Sequence, residues 1–98
     1  MILRVLIEKT VGKHCTSIDD GEKIYELVSP EIAKNLTVEV DFKRVKSMLT
    51  PFLNACFGKL LEHYGKEKIM ANMAIRNVSV DFLRRINEFI DRKDKEST

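Results

Sequence analysis

The 98-residue chain has little of what marks several protein classes. Four glycines and two prolines are too few for a collagen-like, mucin-like or low-complexity chain. Two cysteines, Cys15 and Cys56, do not make a disulfide framework. No apolar run approaches the roughly 20 residues of a membrane-spanning helix. The apolar start, Met1 to Ile7, is too short for a signal peptide, and Glu8 and Lys9 follow at once. Charge of one sign is lacking too, because 17 lysines and arginines nearly cancel 15 aspartates and glutamates. The remaining +2 is too weak to mark a nucleic-acid surface. These absences predict a soluble cytoplasmic protein with neither a nucleic-acid nor a membrane partner.

Catalytic signatures are missing as well. The chain has no Ser-His-Asp order, no glycine-rich phosphate loop and no HExxH pattern. His14 with Cys15, and His63 with Cys56, lack a closed zinc spacing. No enzyme activity, cofactor or metal is therefore expected.

What is present is a globular pattern: 44% hydrophobic residues and 33% charged ones. A chain this short must place nearly all of its apolar residues in one core. Ile2 to Ile7 reads as a buried strand, and Val11 to Thr16 as a loop or short second strand turning at Gly12. Ser17 caps a helix with Asp19 and Asp20 in its first turn, and Ile24, Leu27, Val28 and Ile32 form its apolar face. Pro30 should kink that helix or restart it near Ser29, and Asn35 closes it. Residues 36–42 alternate apolar and polar, which is a strand with period two. Its polar residues, Thr37, Glu39 and Asp41, suggest that one sheet face is thinly covered.

A basic loop, Lys43 to Lys46, follows. Thr50 as cap and Pro51 as first helical residue then open a helix over 51–64. Its stripe runs through Leu53, Cys56, Phe57, Leu60, Leu61 and Tyr64, and Gly65 ends it. Gly58, inside this helix, suggests close approach to a neighbour. Residues 71–78 read as a third main strand, and Ser79 caps a last helix striped by Phe82, Leu83, Ile86, Phe89 and Ile90. The order β-(β)-α-β-α-β-α predicts an α/β domain over 1–91, with a small, mostly parallel sheet, helices packed on it and right-handed crossovers. Residues 92–98 read as a polar, disordered tail.

The stretch from Asp41 to Asn54 (DFKRVKSMLTPFLN) resembles the STAS-like domain family of unknown function, relatives of the anti-sigma-factor antagonists. Cys15 to Tyr25 (CTSIDDGEKIY) and Phe57 to Leu60 (FGKL) are similar to the same family, so the resemblance covers about Cys15 to Phe89. It implies a non-enzymatic, partner-switching fold that docks on a GHKL-type ATPase or an anti-sigma-type regulator. In the antagonists such a kinase phosphorylates a serine at the start of the helix after the central strand. Here Thr50 and Pro51 stand where a pair of serines is expected, and Leu49 stands in place of the preceding aspartate. Thr50 is then the hydroxyl at the motif, with Ser47 further back in the loop.

These readings converge on one candidate region for a partner or an anion: Asp41, Lys43, Arg44, Lys46, Ser47, Thr50 and Asn54. Thr50 is read both as a plain helix cap and as a phosphosite, and Asp41 both as a functional carboxylate and as a cap of the loop after it. The runner-up function is a small-ligand or nucleotide sensor using the 43–50 loop and the N-terminus of helix 51–64. Homodimerisation through the thin sheet face stays open beside both.

Overall fold

A computed structural model describes residues 2–96. The alternating strand at its centre is β3 (Val38–Asp41). Val38 and Val40 turn one way into the core, where both are buried. β1 (Leu3–Leu6) and β5 (Met73–Arg76) pair with β3 on either side, both in parallel, so the sheet order is β1-β3-β5. On the opposite face Glu39 sits between two arginines, 3.5 Å from Arg4 and 3.4 Å from Arg76.

β1 passes without a loop into a short helix, α1 (Ile7–Val11), which Gly12 ends at φ 100°. The optional second strand exists as β2 (His14–Cys15), and its parallel partner is an unexpected strand, β4 (Ser47–Met48), directly after the basic loop. Between them runs α2 (Ile18–Ala33). The Ser17 hydroxyl accepts the Asp20 N–H at 3.1 Å and caps it. Gly21, Ile24, Val28 and Ile32 form its buried stripe, whereas Leu27 is exposed. Pro30 lies inside α2 without dividing it. The helix ends as expected: Asn35 adopts φ 61°, its N–H reaches Ile32 O, and the Leu36 N–H reaches Glu31 O.

The helix expected over 51–64 differs in three ways. It starts one residue earlier, as α3 (Thr50–Leu53), with Leu49 as its cap and no capping side chain. The next turn, Asn54–Gly58, is a π-helix. Gly65 does end the helix as expected, at φ 81°, but a second helical stretch, 66–72, follows it within α4 (Lys59–Asn72). Residues 66–72 are therefore helical, and the third main strand, expected over 71–78, is shortened to β5. α5 (Val80–Glu96) is capped by Ser79, whose hydroxyl accepts the Phe82 N–H at 3.1 Å. It carries on through 92–96, the stretch set apart above as a tail, and residues 97 and 98 lie outside the described residues.

α2 packs on β1, β3 and the π-turn, and α4 on β5. The closest approach is at Gly21: a Cβ there would lie 2.6 Å from Phe52 O and 2.7 Å from the Ala55 Cβ. At Gly58, where the sequence suggested close approach, a Cβ would find its nearest neighbour, Phe89 Cζ, at an ordinary 3.6 Å. Among the described residues no helix is long and apolar enough to cross a membrane.

Candidate functional site

In an open parallel sheet the carboxyl ends of the strands, and the helix starts beside them, are where ligands and partners meet the fold. Here one hollow lies at that end, and two more lie among the helices. The candidate residues divide among them and the strand pair that links them.

Asp41, Lys43 and Arg44 share the first hollow, about 280 Å³, with Leu6, Glu8 and Lys9 from the end of β1 and the start of α1. Among the described residues, Asp41 is the one charged residue in the buried core. Its Oδ1 accepts the Lys43 N–H at 2.9 Å, and the Asn77 amide donates to Oδ1 and Oδ2 at 3.1 and 3.0 Å. Burial alone would raise its pKa. The Lys43 N–H, the Asn77 amide and the charges of Arg4 and Lys43 outweigh that, and the carboxyl lies below the ordinary aspartate value. Asp41 thus caps the loop after β3. The Val45 N–H closes the turn onto Phe42 O at 3.0 Å, with Arg44 at φ 67°. Asn77, at the end of β5, is also left-handed at φ 51°. Asparagine tolerates that region well; arginine holds it at a cost.

Thr50 lies elsewhere. It borders a hollow of about 150 Å³ together with Arg85, Glu88 and Arg92 of α5. Arg85 donates to the Met48 carbonyl, which ties α5 to the strand just before the helix start. As the first helical residue after the Leu49 cap, Thr50 does not cap the helix, and its hydroxyl has no hydrogen-bond partner among the described residues. The reading of Thr50 as a plain cap is therefore corrected.

Asn54 lines a third hollow, about 450 Å³, with Ile18, Pro51, Ala55, Gly58 and Lys59 among its walls. It lies on the π-turn, an uncommon element that recurs at functional sites. Ile18, on its wall, and Leu49, just before α3, leave 57% and 49% of their surface exposed.

Lys46 and Ser47 belong to the strand pair. The Lys46 N–H bonds Lys13 O at 2.7 Å, and the Ser47 hydroxyl pairs with His14 Nδ1 at 2.6 Å. His63 Nδ1 lies 2.5 Å from the Tyr25 hydroxyl on the far side of α2. Cys15 and Cys56 are both buried free thiols. Burial, with the Asp20 charge, pushes the Cys15 thiol up to about 12, and burial raises Cys56 further. Burial thus disfavours the thiolate at both.

Sequence reasoning missed Glu8, Lys9, Arg85 and Arg92. Glu8 and Lys9 could have been found, since two charges directly after a parallel strand fall at its ligand-facing end. Arg85 and Arg92 carry no such signal, because they face Thr50 only through the packing of α5.

Comparison with curated proteins and with solved structures returned no significant match. A family model does match. It describes a STAS-like domain of unknown function (DUF4325) and spans residues 20–83, which include α2 from its third residue on, β3, β4 and β5, the π-turn and the start of α5. Domains of this kind are generally non-enzymatic and suggest a regulatory or interaction role. The parallel sheet, its packed helices and that match together make this chain a member of the STAS-like domain family.

Proposed function

We propose that this domain is a non-enzymatic docking module that engages a GHKL-type ATPase or a related regulator through the start of α3, with Thr50 as phosphoacceptor. The observation that carries the reading is the company Thr50 keeps. Its hydroxyl is unpartnered at the first residue of a helix, exposed Leu49 and Ile18 lie nearby, and Arg85 and Arg92 border its hollow. Exposed aliphatic residues beside a polar rim are what a docking partner covers. A phosphate on Thr50 would gain from the helix start and from the α5 arginines, and would place a double negative charge in the middle of that surface.

The test is binding and phosphoryl transfer with purified GHKL-type ATPases from the source organism. The expected result is a saturable complex weakened by Leu49→Asp and by Thr50→Asp, and a phosphoryl mass on the wild type that is absent from Thr50→Val. Absence of both a complex and a modification with every such ATPase refutes the proposal. A complex indifferent to Leu49→Asp and Thr50→Asp refutes the surface.

A further inference from the structure

β5 is an edge strand whose outer side is left open. The Phe42 N–H bonds the Arg76 carbonyl at 2.9 Å, so the backbone polar groups of Arg76 face β3. Strand residues alternate, so the N–H and C=O of Ile75 face outward, and among the described residues no element pairs with them. Natural edges are blunted by lysine, proline, a bulge or a covering element. β5 has no lysine and no proline, and its register with β3 runs unbroken from Val38 and Met73 to Asp41 and Arg76. Met73, Ala74 and Ile75 are all only half-buried. The run over 69–75 (IMANMAI), which reaches into the strand, holds no charge, glycine or proline. Exposed apolar side chains also stand before and after β5, at Met70 and Val80. At the opposite edge β1 passes directly into α1, and the Leu6 carbonyl is taken by the Thr10 hydroxyl at 2.8 Å. Free backbone groups along an unguarded apolar strand are what a visiting strand pairs with.

Charge decides what kind of strand fits. Met73 and Ile75 share the sheet face of Val38 and Val40, and Ala74 and Arg76 share that of Glu39. On this second face Glu39 is divided between Arg4 and Arg76, at 3.5 and 3.4 Å, and both arginines stay exposed. One carboxylate between two guanidinium groups leaves a positive charge in excess. A strand laid along β5 therefore sets an apolar residue beside Ile75 and an acidic one beside Arg76. A second copy of β5 brings another arginine and no carboxylate, so it is the poorer fit. We propose that the open edge of β5 receives an extended segment of a protein partner, alternating apolar and acidic residues, as a fourth strand of the sheet. Backbone bonds at Ile75 hold the segment, and Arg76 selects its charge. This edge is independent of the docking surface at Thr50, so either can fail without the other.

The test is a titration of the full chain with two end-blocked peptides, one alternating valine and glutamate, the other valine and lysine. Binding is read by backbone amide shifts, and hydrogen exchange is followed at each amide. The expected result is saturable binding of the glutamate peptide, with exchange of the Ile75 N–H slowed. The Arg76 N–H, already turned to β3, serves as the internal reference. The lysine peptide should bind about tenfold more weakly, the difference between an opposite and a like charge across a strand pair. Arg76→Glu should reverse the order of the two peptides. Equal affinity of the wild type for both overturns the role of Arg76 without any variant needing to fold. No saturable binding of the glutamate peptide, or binding that leaves exchange at Ile75 unchanged, overturns the proposal. Sedimentation of the chain alone closes the last route: a dimer in which the Ile75 N–H is already protected gives the edge to a second copy and overturns the proposal too.

Discussion

Gly21 and Gly58 make a paired prediction that separates backbone preference from packing. Both glycines lie in helical segments, where alanine is normally better than glycine by about 1 kcal/mol. On propensity alone, both substitutions to alanine would stabilise the protein. The surroundings differ. An alanine methyl at Gly21 would lie 2.6 Å from Phe52 O, 2.7 Å from the Ala55 Cβ and 3.3 Å from Cys56 N. None of these is the loose end of a flexible side chain, so α2 must move off α3 and the π-turn. Overpacking of this kind costs about 1–3 kcal/mol, and contacts to rigid backbone put it at the upper end. After the propensity gain, Gly21→Ala should lose roughly 2 kcal/mol, a fall in Tm on the order of 10 °C for a domain of this size. At Gly58 the new methyl would meet Phe89 Cζ at 3.6 Å and Asn54 Oδ1 at 3.7 Å, both ordinary contacts. Gly58→Ala should therefore keep or slightly raise Tm. Thermal and urea unfolding followed by circular dichroism measure both, with the m-value checking that the unfolded state is unchanged. A Gly21→Ala protein that melts at or above the wild type refutes the packing argument, as does Gly58→Ala proving the more damaging of the two.

Asp41→Asn should destabilise the domain by about 1–3 kcal/mol at neutral pH, since one of its oxygens becomes a donor facing the donors of Asn77 and Lys43. The Asp41 pKa is lowered on folding, so its contribution is complete above the unfolded aspartate value and is lost as pH falls through the lower folded value. Unfolding measured from neutral pH into that acid range should show a shallower loss for Asp41→Asn than for the wild type. Cys15 and Cys56 should resist alkylation at pH 8 in the folded protein and react fully in urea, checked by intact mass; rapid labelling without denaturant would contradict their burial. Tyr64→Phe should cost roughly 1 kcal/mol through its lost bonds to the Ser29 hydroxyl and carbonyl, and a double-mutant cycle with Ser29→Ala should show the two changes to be non-additive.

Much of the architecture could be read from local chemistry. Ser17 and Ser79 cap their helices, Asn35 and Gly12 take the left-handed turns, and the alternation over 36–42 marks the central strand, because each feature depends only on near neighbours. The errors lie where tertiary contacts decide. Ile69, Met70, Ala71 and Met73 show neither period cleanly. The helix preference of Lys, Glu and Ala carries 66–72 into a helix, and pairing with β3 begins only at Met73. The π-turn adds a residue to the stripe without a sequence mark, and the tight glycine is Gly21 rather than Gly58 because the crossing of α2 sets the distance. The candidate residues read as one region because they lie close together along the chain. The turn at Arg44 and the strand Ser47–Met48 send their side chains to different hollows.

The pair of two-residue strands bears on how this edge meets a visitor. Lys46 and Leu49 are fastened by backbone bonds to Lys13 O and Cys15 O, and Ser47 to His14, so the chain from β3 to Thr50 is stitched to the chain that leads into α2. Most of the ordering entropy of that loop is spent during folding rather than at the moment of binding. A partner docking there as proposed would find a surface already in shape. Cutting the stitch, for instance with Ser47→Pro, would leave the contacts available but charge their ordering to the complex. The loss would appear as a less favourable binding entropy and a slower association rate.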